Sequence, residues 1–393
     1  MTSVRTSTSS VPYWRLSAFY FFYFAAIGVI LPYWPLYLES IDFNARAIGE
    51  LTAILLGSKI IAPYIWGWIA DRHGQRMRIV RIASLFAAVI YAGVLLDDSF
   101  LWLALIMMLF GFFWHAALPQ FEATTMNHLG DSTHAYTRIR VWGSIGFILP
   151  VITLGYIFEA ASIDYLPLIM LMCLSLIFIA SLLVPETAAG HLHLDSGSIW
   201  THLKKPQVLA LLGVCFLMQM SHAPYYTFYS VYLEDNGYGR AFIGNMWALG
   251  VVAEVLVFVL MYSLIHRFGL KILLITSLVL AGVRWLLIGY AVTSISLLLV
   301  AQLLHAASFG LYHATAIQFI HRYFTGRMQG RGQALYSSVS FGAGVSLGSL
   351  LVGHSWQSLG ATFSFTVAAV LTALAAFIAW RWVILQSPGQ APA

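Results

Sequence analysis

Ionisable side chains stand inside long apolar stretches of this 393-residue chain, where charge is costly. They are Lys59, His115, Glu122, Arg140, His222, Glu254, Arg284, His305 and His313. At the centre of a bilayer such a group costs about 2.5–3.5 kcal/mol on the insertion scale, so each one needs a partner, a water-filled cavity or a task. Carboxyl and imidazole groups can carry protons, whereas lysine and arginine can bind an anion. These residue types therefore favour proton transfer and anion binding within a membrane.

The apolar stretches themselves predict membrane-spanning helices. Hydrophobic residues make up 60% of the chain and charged residues 9%, whereas soluble domains are about a quarter charged. A spanning helix needs about 20 predominantly apolar residues. Twelve stretches fit, at 15–38, 47–70, 79–96, 100–126, 137–158, 163–184, 207–233, 241–265, 270–290, 294–320, 331–354 and 359–385. The first lacks a small-residue cleavage site and is followed by another span, so we expect a retained helix and not a signal peptide.

The chain also repeats itself at an offset of 195 residues. Leu38-Glu39 recurs as Leu233-Glu234, and Ile48-Gly49 recurs as Ile243-Gly244. A repeat at half the chain length indicates two similar halves. We therefore predict an all-α membrane protein with twelve transmembrane helices in two pseudosymmetric six-helix bundles. The predicted units are the bundles 12–184 and 207–385 and, between them, a cytoplasmic linker loop at 185–206.

Positive charge is distributed unevenly between the two sets of loops. With both termini placed in the cytoplasm, most arginines and lysines fall on that side, and the opposite loops keep Arg46 and Arg240. This positive-inside bias sets the orientation. It also accounts for the net charge of +5, so the basic balance gives no reason to expect nucleic-acid binding.

Two pairs of embedded charges are candidates for the chemistry. Glu122 and Arg140 lie on consecutive helices and can pair across the hairpin. Lys59 and Glu254 are related by the 195-residue repeat, so they can face each other across a cavity, one binding an anion and the other carrying a proton. Either pair is alternatively a structural ion pair that locks helices together. His305 and His313, about two turns apart, are further proton carriers or else hydrogen-bonded packing residues.

The loop after the second helix carries a recognisable motif. It reads Gly67-Trp68-Ile69-Ala70-Asp71-Arg72-His73-Gly74-Gln75-Arg76. This pattern resembles the signature loop of the major facilitator superfamily, and a weaker copy follows at His266–Gly269. The resemblance implies that Gly67, Asp71, Arg72, Gly74 and Arg76 form a gating motif.

A closer resemblance lies in the second half. The runs are His222-Ala223-Pro224-Tyr225-Tyr226, Leu249-Gly250-Val251-Val252-Ala253-Glu254-Val255, Val283-Arg284-Trp285 and Leu304-His305 with His313. They resemble the bacterial phenylpropionate permease group, relatives of the lactose permease, and in the first half the match continues through Glu122 and Arg140–Ser144. The resemblance implies a proton-coupled importer of an aromatic carboxylate.

The lactose permease carries an acid, an arginine and an aromatic at positions matching Glu122, Arg140 and Phe147, where they bind substrate. It also has an arginine and a histidine at the positions of Arg284 and His305. This chain departs from it at Ser308, Gln302 and Val251, where that permease has a carboxylate, a lysine and an acid. Proton handling is therefore expected to differ.

We predict a secondary active transporter that works by alternating access. The expected function is proton-coupled symport of a small organic carboxylate, with uptake of a neutral sugar or nucleoside, or efflux of drugs or metabolites, as alternatives. The expected substrate-binding residues are Lys59, Glu122, Arg140, Phe147, Tyr225, Tyr226 and Arg284, and the expected proton-coupling residues are Glu254, Glu122, His305 and His313.

The sequence gives no support for classes of protein other than a transporter. The chain has no HExxH sequence, nucleophile elbow or phosphate-binding glycine loop, so we expect no enzyme activity, cofactor or metal. The expected partners are a small-molecule substrate, protons and the lipid bilayer, and the expected form is a monomer in a bacterial inner membrane with both termini cytoplasmic.

Overall fold

The computed structural model describes residues 11–130, 135–186, 201 and 203–384. Every regular element among them is helical, and eleven helices are long and apolar enough to cross a membrane. They are α1 (Tyr13–Ser40), α2 (Ala45–His73), α3 (Arg76–Leu95), α4 (Phe100–Leu129), α5 (Tyr136–Ala160), α6 (Ile163–Leu183), α7 (Pro206–Asp235), α8 (Arg240–Phe268), α9 (Leu270–Tyr290), α10 (Ile295–Tyr323) and α11 (Gln329–Trp382). Residues 187–200 and 202 of the predicted linker lie outside the described part.

The last helix is much longer than one membrane crossing. At 1.5 Å per residue, the 54 residues of α11 would extend about 80 Å, against a hydrocarbon core of about 30 Å. It is broken at Gly360, which has φ 80° and ψ 171°. Glycine adopts this positive φ without the Cβ penalty that other residues pay. This element covers the predicted span 331–354 and residues 359–382 of the predicted span 359–385, with a kink at Gly360.

Short connections make successive helices antiparallel. Between α1 and α2, Asp42 adopts a positive φ of 65°, and the Asn44 side chain caps α2 by accepting a hydrogen bond from the Ala47 amide at 2.9 Å. Between α2 and α3, Gly74 closes α2 in the left-handed conformation. We call the membrane side where α1 begins the near face and the side where α1 ends the far face.

Helices from the first six and from the last five interlock at the far face. α2 packs against α11, α5 against α8, and α1 against α7. Gly49 and Gly353 bring the α2 and α11 backbones together so closely that a Cβ on Gly49 would lie 2.6 Å from Cα of Gly353. Deeper in the membrane, Ser346 donates a hydrogen bond to the carbonyl of Ala53 at 2.6 Å.

Polar contacts reinforce this far-face closure. The Glu159 carboxylate accepts a hydrogen bond from the Ala241 amide at 2.7 Å, and Arg240 donates to the carbonyl of Phe158 at 3.3 Å. Between α2 and α11, His354 lies 3.3 Å from the Glu50 carboxylate. Towards the near face, α2 instead exposes large apolar side chains such as Trp68. The described helices are therefore joined from mid-membrane to the far face.

Candidate substrate and proton site

Glu254 of α8 and His305 of α10 meet in the membrane interior. His305 Nε2 lies 3.7 Å from the Glu254 carboxylate, and the two side chains are 7% and 15% exposed. Each stands opposite a glycine of the other helix: a Cβ on Gly250 would lie 3.2 Å from the His305 ring, and one on Gly310 would lie 3.0 Å from Cγ of Glu254. The glycines thus allow the close helix approach that brings carboxylate and imidazole together.

A charged cluster extends from this pair into the first six helices. Arg140 of α5 acts electrostatically on both Glu122 of α4 and Glu254. Lys59 of α2 acts on Glu122 as well, and both cations act on His313 of α10. We call Lys59, Glu122, Arg140, Glu254 and His313 the central charge cluster. It brings together five predicted site residues from five different helices.

The cations of this cluster rest on aromatic rings. The Arg140 guanidinium lies 4.0 Å from the centre of the Phe24 ring, and the Lys59 ammonium lies 5.3 Å from the centre of the Phe341 ring. Among the described residues, neither cation has a carboxylate within 4 Å, so the predicted pair of Glu122 and Arg140 is not closed here. Both cations are only partly buried. They are therefore placed to receive an anion.

Arg284 of α9 is held in a different way. It is fully buried, and its guanidinium donates to the carbonyl of Ala301 at 3.1 Å, to Ser308 Oγ at 3.1 Å and to Gln302 Oε1 at 3.4 Å. The guanidinium carbon also lies 4.1 Å from the centre of the Tyr225 ring. Neutral groups thus satisfy this cation. Its predicted contact with substrate stays a prediction, because in this conformation the guanidinium is enclosed.

Two of the three departures from the lactose permease, Ser308 and Gln302, contact Arg284. Gln302 accepts from Arg284 and from the Tyr225 hydroxyl, the latter at 3.1 Å, and its amide nitrogen donates to Tyr229. Ser308 accepts from the same guanidinium. Arg284 is therefore bound by the Ser308 hydroxyl and the Gln302 amide and not by a carboxylate. The carboxylate next to His305 is that of Glu254, on α8.

The other three membrane-embedded histidines named in the sequence analysis have neutral hydrogen-bond partners. His313 Nδ1 lies 2.9 Å from the Tyr336 hydroxyl, and His115 Nδ1 lies 2.8 Å from Ser58 Oγ. His222, which is fully buried, has Nδ1 at 2.8 Å from the carbonyl of Met218. A carbonyl only accepts, so this His222 nitrogen carries the proton. Of the predicted proton carriers on α10, His305 is the one in contact with an acid.

The three predicted aromatic site residues lie at different depths. Tyr225 is buried between Arg284 and Trp247, with a ring separation of 4.5 Å from the latter. Tyr226 is partly buried and lies 5.5 Å from the His222 ring. Phe147 is 6% exposed in the packing of α5 against α1. Tyr226 is therefore the most accessible of the three.

The gating motif lies at the near face, away from the charge cluster. Asp71 pairs with Arg76 at 3.3 Å across the turn that Gly74 makes with φ 67°. Arg72 lies over the Trp68 ring at 5.2 Å, and Gly67 faces α4, where a Cβ would come 3.9 Å from Gln120. The motif thus fixes the connection between α2 and α3 and does not touch the candidate substrate site.

Three phenylalanines of the site were not among the predicted residues. Phe24 contacts the Arg140 guanidinium and Phe341 contacts the Lys59 ammonium. Phe309 lies between His305 and His313, parallel to both rings, with ring centres 5.5 and 5.9 Å away. The chain has 26 phenylalanines, and rings in apolar helices ordinarily pack in the core or face lipid. The spacing of His305, Phe309 and His313 at four-residue intervals was the one signal available.

A bundle of apolar helices around a charged interior defines an integral membrane transport protein. In the part of the chain that the structure describes, no group of three or more histidine, cysteine, aspartate or glutamate residues is arranged to hold a metal ion.

A family model for the MFS_1 like family matches residues 13–367, and the chain belongs to this family of major facilitator transporters. It is 31% identical over 360 residues to a probable 3-phenylpropionic acid transporter of Escherichia coli strain K12, covering 87% of this chain and 90% of that protein. It is 25% identical over 370 residues to a maltose permease of Geobacillus stearothermophilus, covering 91% and 92%.

The fold is shared with solved transporters as well. A crystal structure of a mutant of the nucleoside transporter NupG matches with a TM-score of 0.82 and 16% identity, over 94% of this chain and 98% of that one. The predicted membership of the superfamily is confirmed, and so is the prediction that the protein is a transporter and not an enzyme.

Proposed function

We propose that this protein is a proton-coupled symporter that imports a small organic carboxylate by alternating access, with an aromatic acid as its substrate. The observation that carries the proposal is the central charge cluster. Its two cations, Lys59 and Arg140, lie on aromatic rings, and no carboxylate of the described residues lies within 4 Å of either one. A cation in a half-dry cavity gains most from an anionic partner. A substrate carboxylate would supply it.

Glu254 is the proposed proton carrier. It lies at the border between the cluster and His305, 3.7 Å from the imidazole and within electrostatic range of Arg140. When Glu254 is protonated, a cationic site remains to bind the carboxylate. When Glu254 loses its proton towards the cytoplasm, its negative charge competes with the substrate for Arg140, and the substrate is released. Proton and anion are thus bound and released together.

The proposed architecture is two six-helix bundles with twelve spans, in which α11 supplies two spans that divide at Gly360. The far-face closure then separates the site from the outside, and the conformation is inward-facing. The proposed setting is the inner membrane with both termini cytoplasmic, following the positive-inside bias of the loops. The likeness to a probable 3-phenylpropionic acid transporter supports an aromatic acid as substrate.

Uptake of labelled 3-phenylpropionate into proteoliposomes tests the proposal. An inward proton gradient, imposed with the membrane potential clamped, is expected to drive accumulation above the outside concentration and above the level in protein-free liposomes, where undissociated acid crosses passively. Uptake that only equilibrates, whatever the gradient, would contradict coupling. Uptake of labelled maltose or uridine in place of the acid would favour a neutral substrate, and gradient-driven extrusion of the acid would favour efflux.

A further inference from the structure

Two irregular helical segments meet in mid-membrane between the halves. α2 tightens to a 3₁₀ turn at Ser58–Ile60, and α11 widens to a π-helix at Ser338–Gly344. The Ser338 hydroxyl donates to the Ile60 carbonyl at 3.2 Å, and a Cβ on Gly342 would lie 3.0 Å from the Ile60 nitrogen. π-helical turns occur frequently at functional sites.

This contact presents a cation of the first half to a ring of the second. Lys59 belongs to the 3₁₀ turn and Phe341 to the π-helix, with the ammonium 5.3 Å from the ring centre. Both side chains are partly exposed. A ring face attracts a cation more weakly than a carboxylate does. The ring is thus a partner that an anionic ligand can displace.

Phe341 also continues a wall of rings. It meets Phe309 edge to face at 6.2 Å and His313 edge to face at 5.9 Å. Phe309 in turn lies parallel to His305 and His313. The wall runs beside the central charge cluster, from Lys59 towards the proposed proton carrier. A ligand whose carboxylate reached Lys59 would have its apolar end against these rings.

We propose that Phe341 is a specificity-determining residue: it holds the Lys59 ammonium in the empty transporter, gives it up to the substrate carboxylate, and then packs against the aromatic ring of the substrate. The proposal rests on the proposed import of a carboxylate and deepens it. An aromatic ring packs on a phenylalanine edge to face or offset, with an attraction beyond area burial that a saturated ring lacks. The transporter therefore discriminates between flat and saturated rings on otherwise similar acids.

Competition against uptake of labelled 3-phenylpropionate tests this role. The competitors are unlabelled 3-phenylpropionate and 3-cyclohexylpropionate, which differ in the ring and share the carboxylate. The wild-type protein is expected to prefer the phenyl acid. Phe341→Leu is expected to reduce that preference about threefold to tenfold, which corresponds to the loss of one aromatic pair interaction. Phe341→Tyr keeps an aromatic ring and is expected to keep the preference.

Phe363→Leu is the matched control, because Phe363 is exposed on the outer surface of α11 and is expected to leave the preference unchanged. Phe341→Met provides a second ring-free variant if the leucine variant folds poorly. An unchanged preference in the ring-free variants, with both acids still competing, would overturn the role of Phe341 alone. If neither acid competes and a neutral solute is transported, both this inference and the proposed function are wrong.

Discussion

The Glu254 carboxylate lies 3.7 Å from Nε2 of His305, on two helices that each place a glycine opposite the functional side chain of the other. The Nδ1 atom of His305 is buried without a hydrogen-bond partner among the described residues, so the contact with Glu254 is the polar contact that orients the ring. At 3.7 Å the carboxylate and the imidazole can form an ion pair when His305 is protonated, and either group can release a proton when the cavity changes its exposure. In the proposed mechanism, proton coupling depends on this pair.

Glu254→Gln is expected to keep substrate exchange across the membrane and to lose uphill accumulation. The neutral amide resembles a permanently protonated acid, so the substrate still binds but no proton leaves with it. The measurement compares counterflow of labelled acid with gradient-driven uptake. Asp98→Asn, which alters an exposed carboxylate in a far-face loop, serves as the control. Normal accumulation by the Glu254 variant would remove this residue from the coupling role.

Lys59→Ala is expected to weaken binding of a carboxylate by about 2–5 kcal/mol, the usual cost of truncating one partner of a buried charge pair. The amide of the same acid should bind almost as well as to the wild-type protein. Isothermal titration with both ligands checks the difference. Equal losses for acid and amide would show that Lys59 serves the structure and would favour a neutral substrate.

Arg284→Ala is expected to behave differently from Lys59→Ala, because Arg284 is enclosed by neutral acceptors. Its removal takes one donor each from Ser308, Gln302 and the Ala301 carbonyl, although Gln302 still accepts from the Tyr225 hydroxyl. A buried polar group left unsatisfied costs about 1–3 kcal/mol. Thermal denaturation in detergent should show a lower midpoint, and binding of acid and amide should fall equally. A selective loss for the acid would instead place Arg284 at the substrate.

Asp71→Ala is expected to slow turnover more than it weakens binding. Asp71 pairs with Arg76 at the near face, on the connection between α2 and α3, and does not touch the charge cluster, so it acts on opening and closing. Initial uptake rates over a range of substrate concentrations separate the two effects. His266→Ala, at the position related by the 195-residue repeat, is the matched control. A collapse of affinity with normal turnover would contradict a gating role.

Gly49→Ala is expected to shift the protein away from the far-face-closed conformation. The new methyl group would lie 2.6 Å from Cα of Gly353 and 2.7 Å from the Ser349 carbonyl oxygen, and backbone atoms cannot yield. Gly213→Ala is the control, since a Cβ there meets nothing within 4 Å and alanine favours a helix by up to about 1 kcal/mol.

The readout is labelling of Ala53→Cys by an impermeant maleimide added from the far side. Both native cysteines are buried, so background labelling is low. Labelling should rise when Gly49→Ala is combined with this cysteine and should not rise with Gly213→Ala. Equal labelling in the two backgrounds would show that the contact of Gly49 with Gly353 does not govern far-face closure.

The helices and the embedded charges could be predicted from sequence because both depend on the cost of polar groups in a bilayer. Lys59, Glu122, Arg140 and Glu254 are conspicuous for that reason, and all four act on the same interior region. The boundary of the last span was also predictable from its apolar length. The way Gly360 joins the last two helical segments was not, because the positive φ of this single residue sets the kink.

The partners of the charges could not be predicted. Arg284 and Lys59 look alike as embedded cations, yet one is enclosed by Ser308 and Gln302 and the other lies on Phe341. This difference depends on helix rotation, which the π-helix at Ser338–Gly344 changes locally. A phenylalanine that contacts a cation also has the same sequence signature as one that contacts lipid.

Substrate-driven proton movement tests the central claim most directly. Proteoliposomes containing a trapped pH-sensitive dye are given 3-phenylpropionate with no imposed proton gradient and with the membrane potential clamped. Relative to protein-free liposomes, which record passive entry of the undissociated acid, the proposed mechanism predicts faster acidification of the interior with the wild-type protein. It predicts no acidification above this background with Glu254→Gln, although the variant still exchanges labelled acid. Uptake of the acid by the wild-type protein without any proton movement, or unchanged acidification with Glu254→Gln, would contradict it.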